Sequence, residues 1–513
     1  MDPLIRNRQE AVEAVETYSP AEQQFNQRRK TIGLFVAPIL FLIVLALPME
    51  SLSPQAHRLA AILVLVVALW VSEALPLPVS ALLGPLLAIV LGVAPAAKAL
   101  ASFADPIIFL FIGSFILAEA MYAHGLDRRI AFNALSSPLI GRSAGRLLVA
   151  FGGVSVFMSM WISNTATAAM MFPIGLSIVS HLSVLPIAKH PRFRRFATTL
   201  MLITAFGASI GGMATPIGTP PNLIGVGMLR ELVGAPISFF RWMMLGLPIS
   251  ITLYAVLATG FWIAGARGIR LPEDTADLVR RELRQLGPLA RGERNVIIAF
   301  LLTVFLWVFP GVLSIAGLRD SALGRAYESS MPEAAAALTG AILLFVLPVN
   351  WQQRRFTMSW AEAVRIDWGT IFLFGGGLAL GSLAFSTGLA ASIGEAVTAW
   401  VPSSHPLPFT ILFTCFAAAL SEMTSNTASA SMVVPIAIAV SRAAGISPIE
   451  PALGATFGAS ICFMLPVSTP PNAIAYSSGH VPIGTMIRYG VGLSAAACVI
   501  VITTVTLLGS LVF

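Results

Sequence analysis

Two stretches of the chain set small polar residues into apolar surroundings. In MSMWISNTATAAMMFPIG (158–175) the interruption is Ser163, Asn164 and Thr165; in LSEMTSNTASASMVVPIA (420–437) it is Ser425, Asn426 and Thr427. Ser, Asn and Thr are helix N-cap residues, whose side-chain oxygens accept from first-turn N–H groups that lack a partner. The apolar run after each triplet fits an outgoing half-helix, so each triplet is predicted to sit at the tip of a re-entrant hairpin. A buried helix N-terminus favours an anion, and neutral hydroxyl and amide groups add donors for a carboxylate and oxygens for a hard cation. Ser159 and Ser421 lie one turn before the triplets and fall on the tip face if the incoming half-helices run through them, as further cation ligands. Two tips entering from opposite sides would hold one dicarboxylate, one tip per end.

Two further motifs supply backbone to the same chemistry. GGMATPIGTPPNLIG carries Pro216, Pro220 and Pro221 with Gly211, Gly212 and Gly218, and MLPVSTPPNAIAY carries Pro466, Pro470 and Pro471. Such runs cannot continue an α-helix, so each is predicted to unwind and free carbonyls. Inside a membrane that is tolerated only where the freed groups are buried in protein or line a cavity. Carbonyls and Ser, Thr and Asn oxygens together form a cage suited to Na⁺. Neither tip nor break contains Lys or Arg, so a bound anion would be met by helix ends, neutral donors and the cation.

The elements that position these residues follow from composition. The 513 residues are 57% hydrophobic and only 11% charged, against roughly 25% charged in soluble proteins, and the mean hydropathy is +0.85. The chain reads as an all-α polytopic membrane protein. Basic clusters at 28–30, 128–146, 189–195, 267–294 and 354–365 mark cytoplasmic loops. Placing them all on one side gives spans at about 32–50, 59–75, 78–94 and 105–125, a cytoplasmic-side hairpin at about 143–183, and spans at about 198–235 and 243–264. After a cytoplasmic loop at 265–293, spans follow at about 294–317, 332–349 and 368–390, then an outer-side hairpin at about 405–443 and spans at about 451–480 and 486–512. The result is eleven transmembrane spans plus two re-entrant hairpins, with the N-terminus in the cytoplasm and the C-terminus outside. Residues 1–30 read as a cytoplasmic tail, not a cleaved signal peptide. Within the 265–293 loop, 277–286 fits a short amphipathic helix.

Internal duplication organises this path. IIFLFIGSFILAEAMYAHGL (107–126) matches TIFLFGGGLALGSLAFSTGL (370–389), SNTATAAMMFPIG matches SNTASASMVVPIA, and FGASIGGMATPIGTPPNLIG (206–225) matches FGASICFMLPVSTPPNAIAY (457–476) with a one-residue slip. The first copy spans 105–264 and the second 350–513, leaving 31–104 and 294–349 as scaffold spans. With the loop charges, the copies lie in opposite orientations. An inverted-topology repeat with paired broken segments is the signature of a secondary transporter with a midplane site.

Other classes find no support. No zinc, Ser/Lys or paired-carboxylate constellation of an intramembrane enzyme is present, and no basic, aromatic-interleaved surface suggests a nucleic-acid partner. Cys415, Cys462 and Cys498 lie in apolar segments and read as small hydrophobes. Glu422, beside the second tip, faces Met160 in the alignment of the copies.

With Ser-Asn-Thr at both tips and Thr-Pro-Pro-Asn in both breaks, the chain from residue 30 onward resembles the divalent anion:sodium symporter family, including its INDY-type bacterial dicarboxylate transporters. The resemblance implies an elevator-type transporter in the inner membrane, a homodimer embedded in the lipid bilayer, that carries a C4 dicarboxylate such as succinate, fumarate or malate with Na⁺ as the co-transported ion. Exchange, or citrate or sulfate as cargo, are the alternatives within the family. It implies Ser163, Asn164, Thr165, Thr215, Ser425, Asn426, Thr427, Thr469 and Pro470 around substrate. For Na⁺ it implies Ser159, Ser163, Asn164 and the Ala214 carbonyl at one site, and Ser421, Ser425, Asn426 and the Ser468 carbonyl at the other. Ala214 stands where the family pattern has Gly, and Ser421 where some members have Thr; both keep a usable oxygen.

Overall fold

The computed structural model describes residues 20–272, 274–399 and 404–512. Helix α1 (Pro20–Ala46) begins inside the stretch expected as tail, whose residues 1–19 lie outside the described residues. Helices α2 (Pro54–Ser72), α3 (Leu77–Val90) and α4 (Pro106–Ala123) follow. Caps explain where they start: Ser53 Oγ accepts from Ala56 N–H at 3.2 Å, and Asp105 Oδ1 from Ile107 N–H at 2.8 Å. Gly125, at φ 68°, turns the chain into a short amphipathic helix α5 (Leu126–Leu135).

The first hairpin is α6 (Ala144–Ser159) and α7 (Asn164–Ser183), with Met160–Ser163 as its tip. The first broken span is α8 (Phe193–Gly212) and α9 (Pro220–Met228), extended by a π-helical turn over Leu229–Val233. Helix α10 (Phe239–Phe261) completes the first copy, and α11 (Asp274–Gln285) fills the amphipathic stretch expected in the loop. Then come α12 (Arg291–Ile315), α13 (Ala322–Ser330) and α14 (Glu333–Val346). A short antiparallel pair, β1 (Pro348–Asn350) with β2 (Arg355–Phe356), is the sole strand pairing in a sheet among the described residues; Pro348 faces Phe356 and Asn350 faces Arg355.

The second copy repeats the plan. Helix α15 (Trp368–Thr387) ends at Gly388, φ 85°, which opens another short amphipathic helix, α16 (Leu389–Thr398). The second hairpin is α17 (Pro406–Ser421) and α18 (Asn426–Ala443); the second broken span is α19 (Ile449–Gly458) and α20 (Pro470–Ser477); α21 (Ile483–Val512) ends the chain. Among the described residues, eight helices are long and apolar enough to cross a membrane. Seven coincide with expected spans and the eighth is the hairpin arm α7; the other expected spans are the short α3 and α14 and the two broken ones. The protein is thus a mostly helical, multi-pass membrane protein.

Packing makes the duplication reciprocal. The incoming arm α6 lies on α8, and α17 lies on α19. Each second half-helix then crosses to the other copy: α9 packs on hairpin arm α18, and α20 on hairpin arm α7. The α4–α14 pair is mirrored by α15–α3. The hairpins and breaks of both copies therefore form one interlocked core.

Candidate functional site

Each tip is built the same way. Ser163 has the extended backbone of an N-cap (φ −60°, ψ 148°), and its Oγ accepts from Ala166 N–H at 3.2 Å. Ser425 takes the same conformation (φ −61°, ψ 138°) without a side-chain capping bond. The asparagine that follows turns back onto the incoming arm: Ser159 Oγ donates to Asn164 Oδ1 at 2.6 Å, and Ser421 Oγ lies 2.7 Å from Asn426 Oδ1. Ser159 and Ser421 thus do fall on the tip face. Ser421 Oγ is also 2.6 Å from the Ala459 carbonyl, which ties the second tip to its break. Ser163 is exposed, Asn164, Thr165, Ser425 and Asn426 are half-buried, and Thr427 is buried.

The breaks run over 213–219 and 459–469. Gly211 and Gly212, expected to help break the helix, instead form the last turn of α8. Their function is space: a Cβ on Gly212 would sit 2.3 Å from Asn164 Oδ1, and one on Gly211 would sit 2.1 Å from the Val156 carbonyl. Gly218 is as confined, with the Gly212 carbonyl 2.6 Å and the Ser159 carbonyl 3.0 Å from its missing Cβ. The double prolines open α9 and α20, where their absent N–H costs nothing because first-turn N–H groups have no helical partner. Each copy therefore presents two helix N-termini, one at its tip and one at the restart of its broken span.

Thr215 and Thr469 prove not to be equivalent. Thr469 is the N-cap of α20 (φ −147°, ψ 150°), and its structural twin is Thr219 before α9 (φ −148°, ψ 143°). Thr215 lies within the first break, fully buried, with its Oγ1 donating to the Met160 carbonyl of the tip. Thr469 Oγ1 is buried with no hydrogen-bond partner, and Pro470 beside it is exposed. The Ser468 hydroxyl donates to the Leu465 carbonyl at 2.7 Å. Ala214 is fully buried, and its carbonyl faces Gly246 of α10 at a separation that leaves no room for a Cβ there.

Two residues of the shared Thr-Pro-Pro-Asn motif have a function that the motif alone did not suggest. Asn222 Nδ2 donates to the carbonyls of Gly212 and Thr215, both at 2.8 Å. Asn472 Nδ2 donates to those of Cys462 at 3.0 Å and Leu465 at 3.1 Å. The offsets, ten and seven residues back, are identical, so each Asn staples its own unwound segment. In both copies the Asn Oδ1 is buried without a partner, as are the matched hydroxyls of Ser209 and Ser460. Buried polar atoms are otherwise almost always paired, so these duplicated acceptors fit a site made for a cation. The signal was present in the alignment of the copies, where this Asn closes the shared motif.

Interlocked broken spans around two hairpin tips, rich in oxygen and lacking basic side chains, define a secondary transporter. Residues 28–513 match the family model for the sodium:sulfate symporter transmembrane region. The chain is 34% identical over 481 residues to the sodium-dependent dicarboxylate transporter SdcS of Staphylococcus saprophyticus and 33% identical to that of Staphylococcus aureus, covering 92% of this chain and 90% of each relative. Among solved structures it is similar in fold to the YdaH transporter of Alcanivorax borkumensis, with TM-score 0.52 and 14% identity over 80% of this chain and 87% of that one. This chain belongs to the sodium:sulfate symporter family.

Proposed function

We propose that the protein is a secondary active transporter that couples Na⁺ to uptake of a C4 dicarboxylate such as succinate, fumarate or malate. The observation that carries this reading is the matched pair of tip contacts, Ser159 with Asn164 and Ser421 with Asn426. Each sets an amide and a hydroxyl beside a helix N-terminus and an unwound backbone stretch. Ser163, Asn164, Thr165, Thr215 and Ser425, Asn426, Thr427, Thr469, Pro470 surround the carboxylates. Ser159, Ser163, Asn164 and the Ala214 carbonyl, and Ser421, Ser425, Asn426 and the Ser468 carbonyl, hold Na⁺. The relatives' name, sodium-dependent dicarboxylate transporter, supports both cargo and cation. The protein works as a homodimer of eleven-span protomers in the bacterial inner membrane, N-terminus inside and C-terminus outside. Spans 31–104 and 294–349 serve as scaffold while the hairpin-and-break core moves as an elevator.

The family description names sulfate, which makes sulfate the second reading. Proteoliposomes with an inward Na⁺ gradient, K⁺ replacing Na⁺ as control, test both with radiolabelled succinate and sulfate. Succinate uptake that needs Na⁺ is expected. Equal uptake in K⁺ would refute coupling, strong counterflow without net uptake would favour exchange, and uptake of sulfate alone would transfer the site to the second reading.

A further inference from the structure

The two copies differ at one place that the alignment marks and the geometry explains. Met160 in the first tip is replaced by Glu422 in the second. The first break is short, and its leading N–H groups find local carbonyls: Met213 N–H donates to Ile210 at 3.2 Å and Ala214 N–H to Gly211 at 3.0 Å. The second break is longer, because its first half-helix stops at Gly458. Its middle N–H groups turn to Glu422. Oε1 accepts from Phe463 at 2.8 Å and Met464 at 3.0 Å, and Oε2 from Met464 at 3.2 Å and Leu465 at 3.3 Å. The Glu422 side chain is almost fully buried. An unpaired N–H group inside a membrane is costly because no water is there to accept from it. A segment this unwound therefore needs an acceptor from elsewhere, and the tip provides it.

The first copy closes the same joint by other means. There the break donates through a side chain, Thr215 Oγ1, to a backbone acceptor on the tip, the Met160 carbonyl. In the second copy the break donates through its backbone to a side chain on the tip. Met160 aligns with Glu422 and Thr215 with Leu465, so the partners are homologous and only the chemistry has been exchanged.

We propose that Glu422 is a positioning residue for the second cation half-site: both of its carboxylate oxygens clamp the backbone of 463–465 to the hairpin tip and so place the oxygens of the second break beside Asn426. The proposal rests on the Na⁺-coupled reading above. Glu422 itself touches neither cargo nor cation. Its effect is local to the second half-site, since the first is tied by Thr215.

The test is Na⁺-dependent succinate uptake in proteoliposomes by the full chain and by Glu422→Gln and Glu422→Asp. Gln keeps the length and one acceptor oxygen; Asp keeps both oxygens but is one methylene too short to reach three N–H groups. The half-saturating Na⁺ concentration is expected to rise about tenfold in Glu422→Gln, as for loss of one hydrogen bond to a carboxylate. It should rise further in Glu422→Asp, with maximal uptake at saturating Na⁺ falling much less. A field effect of the carboxylate would rank Asp above Gln, and a packing role would leave the Na⁺ dependence unchanged; either overturns the proposal. Hydrogen exchange on the wild-type protein in nanodiscs needs no variant to fold and no transport. Amides 463–465 are expected to be slow to exchange with or without Na⁺. Protection that appears only with Na⁺ would mean that the cation, not Glu422, holds the break. Absence of Na⁺-dependent uptake by the wild type would instead defeat the transport reading, leaving the clamp to be judged by exchange alone.

Discussion

At the scale of single residues the candidate site is a set of close approaches. Asn164 can lie on Ser159 only because residue 212 has no side chain. Gly212→Ala is therefore expected to push Asn164 off its partner and to raise the half-saturating Na⁺ concentration for uptake by about tenfold or more, whereas Gly484→Ala, whose Cβ would meet nothing within 4 Å, should be neutral. A wild-type Na⁺ response in Gly212→Ala would remove this contact from the site. Asn164→Ala and Asn426→Ala should each abolish uptake while membrane expression persists; near-normal kinetics in either would remove that tip. The staples are tested by stability. Asn222→Ala deletes bonds to two carbonyls, with an expected cost of about 1–3 kcal/mol, visible as a lower thermal midpoint of the purified protein. Asn472→Ala should match it.

At the scale of elements, legibility followed the physics of each segment. The hairpins were plain because a polar triplet between two apolar half-helices fits little besides a capped tip: Ser163 caps α7 as the sequence suggested, while the Ser143 cap of α6 is a finding of the structure. The breaks were plain from proline. What went unseen were α5 and α16, ten-residue amphipathic helices whose periodicity is too brief to stand out beside long apolar spans. The aligned copies nevertheless both contain the Gly-Leu that starts them, and Gly125 and Gly388 both take positive φ. The twin of Thr469 was legible as well: the shared Thr-Pro-Pro-Asn pairs it with Thr219, and both prove to be the N-cap at which the second half-helix restarts. Gly388→Ala has room for its Cβ and so isolates backbone strain of roughly 1 kcal/mol. It should lower the thermal midpoint of the purified protein slightly while uptake continues. An unchanged midpoint would mean that the α15–α16 corner is not strained.

At the scale of the whole molecule, the exchange of half-helices between copies decides what can move. Because α9 rests on α18 and α20 on α7, neither tip can separate from the other without unpacking both breaks; the hairpin core must travel together. In the elevator motion proposed above, the ties that have to yield are those between this core and the spans that stay behind. One is the ion pair of Asp105, which caps α4, with Arg230 in the π-helical turn that follows α9. A mostly buried pair of this kind holds its two elements closely, since separating the charges without new partners is costly. Helix α4 packs on α14 of the proposed 294–349 scaffold, and an elevator motion in which α4 stays with that scaffold breaks the pair in each cycle. With Cys415 and Cys498 replaced by Ala and the fully buried Cys462 retained, the double variant Asp105→Cys/Arg230→Cys can be joined by a short, thiol-cleavable bifunctional reagent in proteoliposomes. Linking is expected to stop Na⁺-driven uptake and reduction to restore it, while either single variant stays insensitive to the reagent. Uptake that persists with the link in place would mean that α4 and the end of the broken span keep their relation throughout the cycle, so that α4 travels with the core and this pair is not a tie that yields.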